Sequence, residues 1–172
     1  MDCLTDFFSK LQIEDSYLAK YFKEVFIKKI VYYKEEKRIY LYLVSKKIVQ
    51  NDKISLLEKS LLDALPYFNS VKVKIHYTGY DRASNSDIIK KYWNNILNIL
   101  ISICPPLNGW KKEIEYMCVE DNLKIKIPKP FFYDRLIAKD AINSIKNILN
   151  EELGLDLNIT LEKAIDSKVD TE

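Results

Sequence analysis

Arg38-Ile39-Tyr40-Leu41-Tyr42-Leu43-Val44 decides how the first half of this chain is read. Ile39, Leu41 and Leu43 alternate with Tyr40 and Tyr42, a period of two that belongs to a strand with one face on a core. Upstream, Val25 to Tyr33 is rich in β-branched and aromatic residues. Lys34-Glu35-Glu36-Lys37 is a polar break between the two runs, so together they read as a β-hairpin. Farther upstream, Leu4, Phe7, Phe8 and Leu11 recur at helical spacing. A second helical turn carries Tyr17, Leu18, Tyr21 and Phe22, with Ser16 the expected N-cap. Downstream, Asn51 or Asp52 is placed to cap a helix with Ile54, Leu57, Leu61, Leu62 and Leu65 that ends near Pro66. Val71 to Tyr77 closes the series as an alternating strand, and the predicted order is α-β-β-α-β.

The second half repeats that order. Ser86 is placed to cap a long helix whose stripe holds Ile89, Trp93, Ile96, Leu100 and Ile103, widened by Tyr92 and Ile99. Cys104-Pro105-Pro106 stops it, because proline disfavours helix at the residue before it. Glu113 to Val119 and Leu123 to Ile127 read as a second hairpin around Glu120-Asp121-Asn122. Pro130 opens one helix running through Leu136, Ile142, Ile145 and Leu149, with Gly154 at its C′ position. Leu155, Leu157, Ile159 and Leu161 then alternate with polar residues as a final strand. The predicted class is α+β: two tandem α-β-β-α-β modules, each a small three-stranded sheet with helices on one face. The expected layout is a first module over residues 1–78, a linker over 79–85, a second module over 86–163 and a polar tail over 164–172.

Composition agrees with a folded chain. It has 172 residues, 48% hydrophobic and 30% charged, with only 3 Gly and 5 Pro, which excludes disordered, collagen-like and low-complexity classes. Cys3, Cys104 and Cys118 form no CxxC pair, so a zinc ribbon or thioredoxin-like motif is excluded, and the sparse set points to a reducing cytoplasm. The longest apolar stretch, Ile96 to Leu107, falls far short of the roughly 20 residues of a membrane span. No membrane partner is expected.

The search for catalytic chemistry yields negatives. Gly79, Gly109 and Gly154 lie too far apart for a phosphate-binding glycine loop. Carboxylates are scattered, His76 has no nucleophile beside it in the pattern, and the cysteines read as small core residues. No enzyme activity, metal or cofactor is expected of this chain.

The charge is uneven. Residues 1–83 carry 15 Lys+Arg against 11 Asp+Glu, a net +4, whereas residues 84–172 carry 12 against 14, a net −2. The first hairpin interleaves Lys28, Lys29, Lys34, Lys37, Arg38, Lys46 and Lys47 with Tyr32, Tyr33, Tyr40 and Tyr42. Tyrosines flanked by cations on a sheet resemble a platform for stacking single strands. The same pattern also fits a solvated sheet face filled by β-propensity, or a protein-binding face, since interfaces favour Tyr. The candidate binding residues are Tyr40, Tyr42, Lys28, Arg38, Lys46 and Lys47, with the two tyrosines expected beside Lys28 and Arg38 on the open face.

Several short stretches resemble one family. Phe7-Phe8-Ser9-Lys10-Leu11-Gln12-Ile13, Tyr17-Leu18 and Tyr21-Phe22 resemble the opening of the PolC-type DNA polymerase III α subunit. So do Tyr92-Trp93, the run from Pro105 to Trp110, the run from Val119 to Pro128, and Gly154-Leu155-Asp156-Leu157. The resemblance spans residues 4 to 162. It implies a replicative bacterial DNA polymerase with a 3′–5′ proofreading exonuclease, whose N-terminal region precedes an OB fold, the exonuclease and the polymerase core. That region is similar to KH-like modules and is associated with the clamp-loader τ subunit. The resemblance thus implies a non-catalytic N-terminal region acting in replication. Its expected partners are replisome proteins, τ first, with weak DNA contact besides. The GxxG loop of RNA-binding KH domains is missing, which counts against direct nucleic-acid clamping. A single-strand-binding module using the Tyr/Lys hairpin is the alternative.

Overall fold

A computed structural model of the chain describes residues 2–164. It is of the α+β class and divides between Arg82 and Ala83 into two compact units.

In the first unit, β1 (Asp2–Cys3) leads into α1 (Leu4–Lys10) and α2 (Ser16–Tyr21), followed by β2 (Val25–Tyr33), β3 (Arg38–Ser45), α3 (Asn51–Ala64) and β4 (Ser70–Tyr77). The sheet order is β1-β2-β3-β4. β2 and β3 form the expected antiparallel hairpin, and α3 carries the chain across so that β4 lies parallel to β3. Ile39, Leu41 and Leu43 point under the helices with Val71 and Ile75, against Leu4, Phe8, Leu18, Phe22, Leu57 and Leu61, all buried. This apolar burial is the main force fixing which strand face turns inward. Tyr40 and Tyr42 therefore lie on the opposite, open face, half-buried.

The second unit runs α4 (Asn85–Ile103), a 3-10 segment (Pro105–Glu113), β5 (Glu115–Val119), β6 (Asn122–Ile127), α5 (Pro130–Ala138), α6 (Ala141–Leu153) and β7 (Asn158–Lys163). β5 and β6 are antiparallel, and β6 and β7 are parallel. Leu123, Ile125 and Ile127 are buried beneath α4, α5 and α6 with Ile89, Ile96, Leu136 and Leu149.

Six details differ from the sequence expectation. The first sheet has four strands, because Asp2 and Cys3 pair with Ile27 and Phe26. Asp15, not Ser16, caps α2, its carboxylate accepting from the N–H groups of Tyr17 and Leu18 at 2.9 and 3.1 Å. Ser84, not Ser86, caps α4 through the Asp87 N–H, and α3 is flanked by Gln50 with no side-chain cap bond. The single helix expected from Pro130 is two. Asp140 adopts the left-handed conformation at φ 53°, which aspartate tolerates better than most side chains, and accepts from Asn143 Nδ2. The final strand starts at Asn158 rather than Leu155, since Leu155 N–H still bonds the Leu149 carbonyl behind Gly154. Gly154 itself closes α6 as expected, left-handed at φ 67°. Beyond residue 164, the expected polar tail lies outside the described residues.

Candidate functional site

The open face of the first sheet carries the candidate site, and register decides its membership. Cross-strand partners share a face, so Tyr42 stands in a row with Lys29 on β2 and Lys74 on β4. Tyr40 stands between Val31 and Lys72, and Arg38 lies across from Tyr33. The pairing of β2 with β3 slips between Ile27 and Lys29, so Lys28 is the extra residue of a β-bulge, with no partner on β3. Lys28 therefore does not stand beside the tyrosines as expected. Lys29 takes that place, its Nζ 4.5 Å from the centroid of the Tyr42 ring.

The rings form a ladder. Tyr40 and Tyr42 stack at 6.3 Å between centroids, 27° from parallel. Tyr33 meets Tyr40 edge-on at 5.5 Å. Arg38 Nη1 donates to the Tyr40 hydroxyl at 3.4 Å and lies 3.2 Å from Glu36. The hydroxyl first, and Glu36 after it, hold the guanidinium above even its ordinary high pKa. On β4, Lys72 lies 3.4 Å from Glu58. The other oxygen of Glu58 accepts from the Val73 N–H at 2.9 Å, which occupies a backbone group on that edge of the sheet.

Lys46 and Lys47 lie at the other end of β3. Lys47 is held by Glu24 at 2.6 Å, and that contact keeps the Glu24 carboxyl below its usual range. The Lys46 carbonyl accepts from Tyr80. With Glu24, Phe26, Val44, Ser45 and Thr78, Lys46 lines a shallow, mostly apolar pocket of about 330 Å³. Of the six sequence candidates, Tyr40, Tyr42 and Arg38 come together; Lys28, Lys46 and Lys47 do not join them. Lys29, Tyr33 and Lys72 complete the ladder instead. The parallel pairing with β4 that brings in Lys72 is not written in any local motif.

Two further groups flank this unit. Lys53 Nζ donates to the Tyr17 hydroxyl at 2.7 Å, lies 2.9 Å from Asp52, and sits 5.0 Å from the Tyr17 and Tyr21 rings. These bonds, Tyr17 first, raise the lysine above its ordinary range. Near the hairpin turn, Tyr32 packs edge-on against Phe68 at 5.2 Å, and Lys37 stands 4.9 Å from the Tyr67 ring.

The second sheet's open face is electrostatically different. Lys124 pairs with Glu162 at 3.3 Å and Lys126 with Glu115 at 3.7 Å, so both lysines of β6 face carboxylates. Among the described residues, no group of three or more His, Cys, Asp or Glu is placed to hold a metal ion, and no helix is long and apolar enough to cross a membrane.

Two family models match the chain. DNA polymerase III polC-type N-terminus I matches residues 4–75, and DNA polymerase III polC-type N-terminus II matches residues 91–172. No curated protein matches. Among solved structures, two fragments of the periplasmic domain of the T3SS inner membrane protein PrgH from S.typhimurium are similar at 11% identity. The fragment 170-392 is matched over 94% of this chain and 71% of that one with a TM-score of 0.30. The fragment 170-362 is matched over 91% and 75% with a TM-score of 0.31. The matched models set the family: the chain belongs to the N-terminal region of PolC-type DNA polymerase III, a family of DNA replication.

Proposed function

We propose that this chain is a non-catalytic docking region of a replicative polymerase, with the open face of its first sheet as the contact surface and the clamp-loader τ subunit as its partner. In this reading, template-directed synthesis and 3′–5′ proofreading belong to other parts of the parent protein. The observation that carries the reading is the state of the rings. Tyr40 and Tyr42 lean on each other, Tyr33 closes on Tyr40, and Lys29 covers Tyr42. A base stacking there has to displace these contacts. What the face offers outward is hydroxyls, ring edges and ammonium groups, the chemistry of a protein interface.

A second reading, single-strand binding, draws on the cations Lys29, Arg38, Lys72 and Lys74 lying among tyrosines on one sheet face. Salt separates the two. Binding through 6–10 phosphates falls by roughly 10³–10⁵ between about 50 and 200 mM salt. Titration of the chain with τ and with oligo-dT at those salt levels is the test. The docking reading expects τ to bind with a shallow salt dependence and oligo-dT to bind weakly throughout. Tight oligo-dT binding with a steep slope, and no τ binding, overturns it.

A further inference from the structure

The two edges of the first sheet are finished differently. On β4, Glu58 occupies the Val73 N–H. On β2, pairing with β1 covers only Phe26 and Ile27. From Lys28 to Tyr33, β2 has a strand on the β3 side alone among the described residues, so alternate N–H and C=O groups point outward along this stretch. The strand is also open above and below: Ile30, Tyr32 and Tyr33 are 45%, 43% and 46% exposed.

We propose that this edge of β2 receives an extended acidic segment of the partner protein as an added strand. The proposal deepens, and rests on, the docking reading of the same sheet. Register defines the segment. Lys29, Val31 and Tyr33 point to the open face, and Ile30 and Tyr32 to the opposite side, with Leu41 and Ile39. A strand laid along this edge alternates in the same way. On one side its residues meet Lys29 and, beyond it, the row through Tyr42 to Lys74; there carboxylates fit. On the other side they lie beside Ile30 and Tyr32; there apolar side chains fit. Lys29 is available for this: it has no carboxylate within ion-pair distance among the described residues. Lysines on an exposed edge also hinder association with a second copy. That barrier is electrostatic, and an acidic strand reverses its sign. Main-chain pairing supplies affinity and the alternating side chains supply choice.

The test uses the full chain and an octapeptide alternating Glu and Val, with a block peptide of the same composition and an alternating Lys/Val peptide as controls. Affinity is read by fluorescence anisotropy, and the edge by amide hydrogen exchange. The expected result is binding of the alternating acidic peptide about tenfold tighter than either control. Exchange of alternate amides between residues 28 and 33 slows about tenfold when about nine-tenths of the chain is bound. Lys29→Glu, with unchanged circular dichroism, weakens that binding about tenfold; Tyr32→Glu, on the other side of the strand, is the second variant and also weakens it. Equal binding of the block peptide, or protection confined to other elements, overturns the edge proposal. If τ still binds through Tyr40 and Tyr42 in that case, the docking reading survives it. If τ fails to bind while the peptide protects the edge, the docking of τ falls and the edge stands.

Discussion

Lys29 Nζ stands 4.5 Å from the centroid of the Tyr42 ring, its neighbour across the strand pair. It is there because Lys28 is an extra residue in β2, and the register recovers one position later. Without that bulge, the lysine over the ring would be a different one. A cation on a tyrosine face at an exposed site contributes about 0.5–1 kcal/mol, and it fixes where the ammonium is presented.

The bulge makes two adjacent lysines unequal. Lys29→Ala is expected to cost about 0.5–1 kcal/mol of stability, whereas Lys28→Ala stays within about 0.5 kcal/mol of the parent. Urea unfolding of the two variants checks this. Equal losses would place the bulge elsewhere.

The two faces of β3 are expected to respond differently to truncation. Leu41 is buried beneath the helices, and Leu41→Ala should cost about 2–5 kcal/mol. Tyr40 and Tyr42 are half-buried on the open face. The double change Tyr40→Ala, Tyr42→Ala should leave a folded chain, with a coupling of about 0.5–1.5 kcal/mol between the two rings in a double-mutant cycle. A double variant that unfolds would mean that the tyrosines are core.

Much of this was legible in advance. Alternation in Arg38 to Val44 sufficed to turn the aliphatic residues inward and Tyr40 and Tyr42 outward, because burying one face of a strand leaves no freedom about the other. The hairpin, the crossover helix and the cap at Gly154 were legible for the same reason: each has a local signal. The bulge at Lys28 has none, since one inserted residue changes neither composition nor propensity. The break at Asp140 was hidden because apolar spacing continues across it from Leu136 to Ile145. Lys72 joins the site through parallel pairing, which depends on tertiary packing rather than on neighbours in sequence.

The Lys53 cluster gives a pH dependence with a definite sign. The Lys53 ammonium, 2.9 Å away, holds the Asp52 carboxyl below its ordinary 3.8. A carboxyl whose pKa falls on folding stabilises the fold above its unfolded value, and that contribution fades as pH drops through the lowered one. Lys53 is the reverse: its raised pKa supports the fold below the ordinary 10.5 and is lost as pH rises past the folded value. Asp52→Asn should therefore be less stable than the parent at neutral pH, with the gap closing below about pH 4. Urea midpoints from neutral to acid pH check it; a gap independent of pH would contradict it.

Gly154 isolates backbone strain. Its φ is +67°, and a Cβ added there would meet nothing within 4 Å. Gly154→Ala should thus cost about 1–2 kcal/mol through conformation alone. Gly109, with nothing near it and no positive φ, should tolerate the same change at far lower cost. Thermal unfolding of both variants measures the difference.

The tyrosine ladder of the first sheet is proposed to dock a replisome protein. Its most direct test is the affinity of τ for the parent chain and for the Tyr40→Ala, Tyr42→Ala variant, by calorimetry at physiological salt. The parent is expected to bind τ, and the folded variant to lose at least about 2 kcal/mol, as when interface hot spots are truncated. Equal affinity for the parent and the folded variant would contradict it.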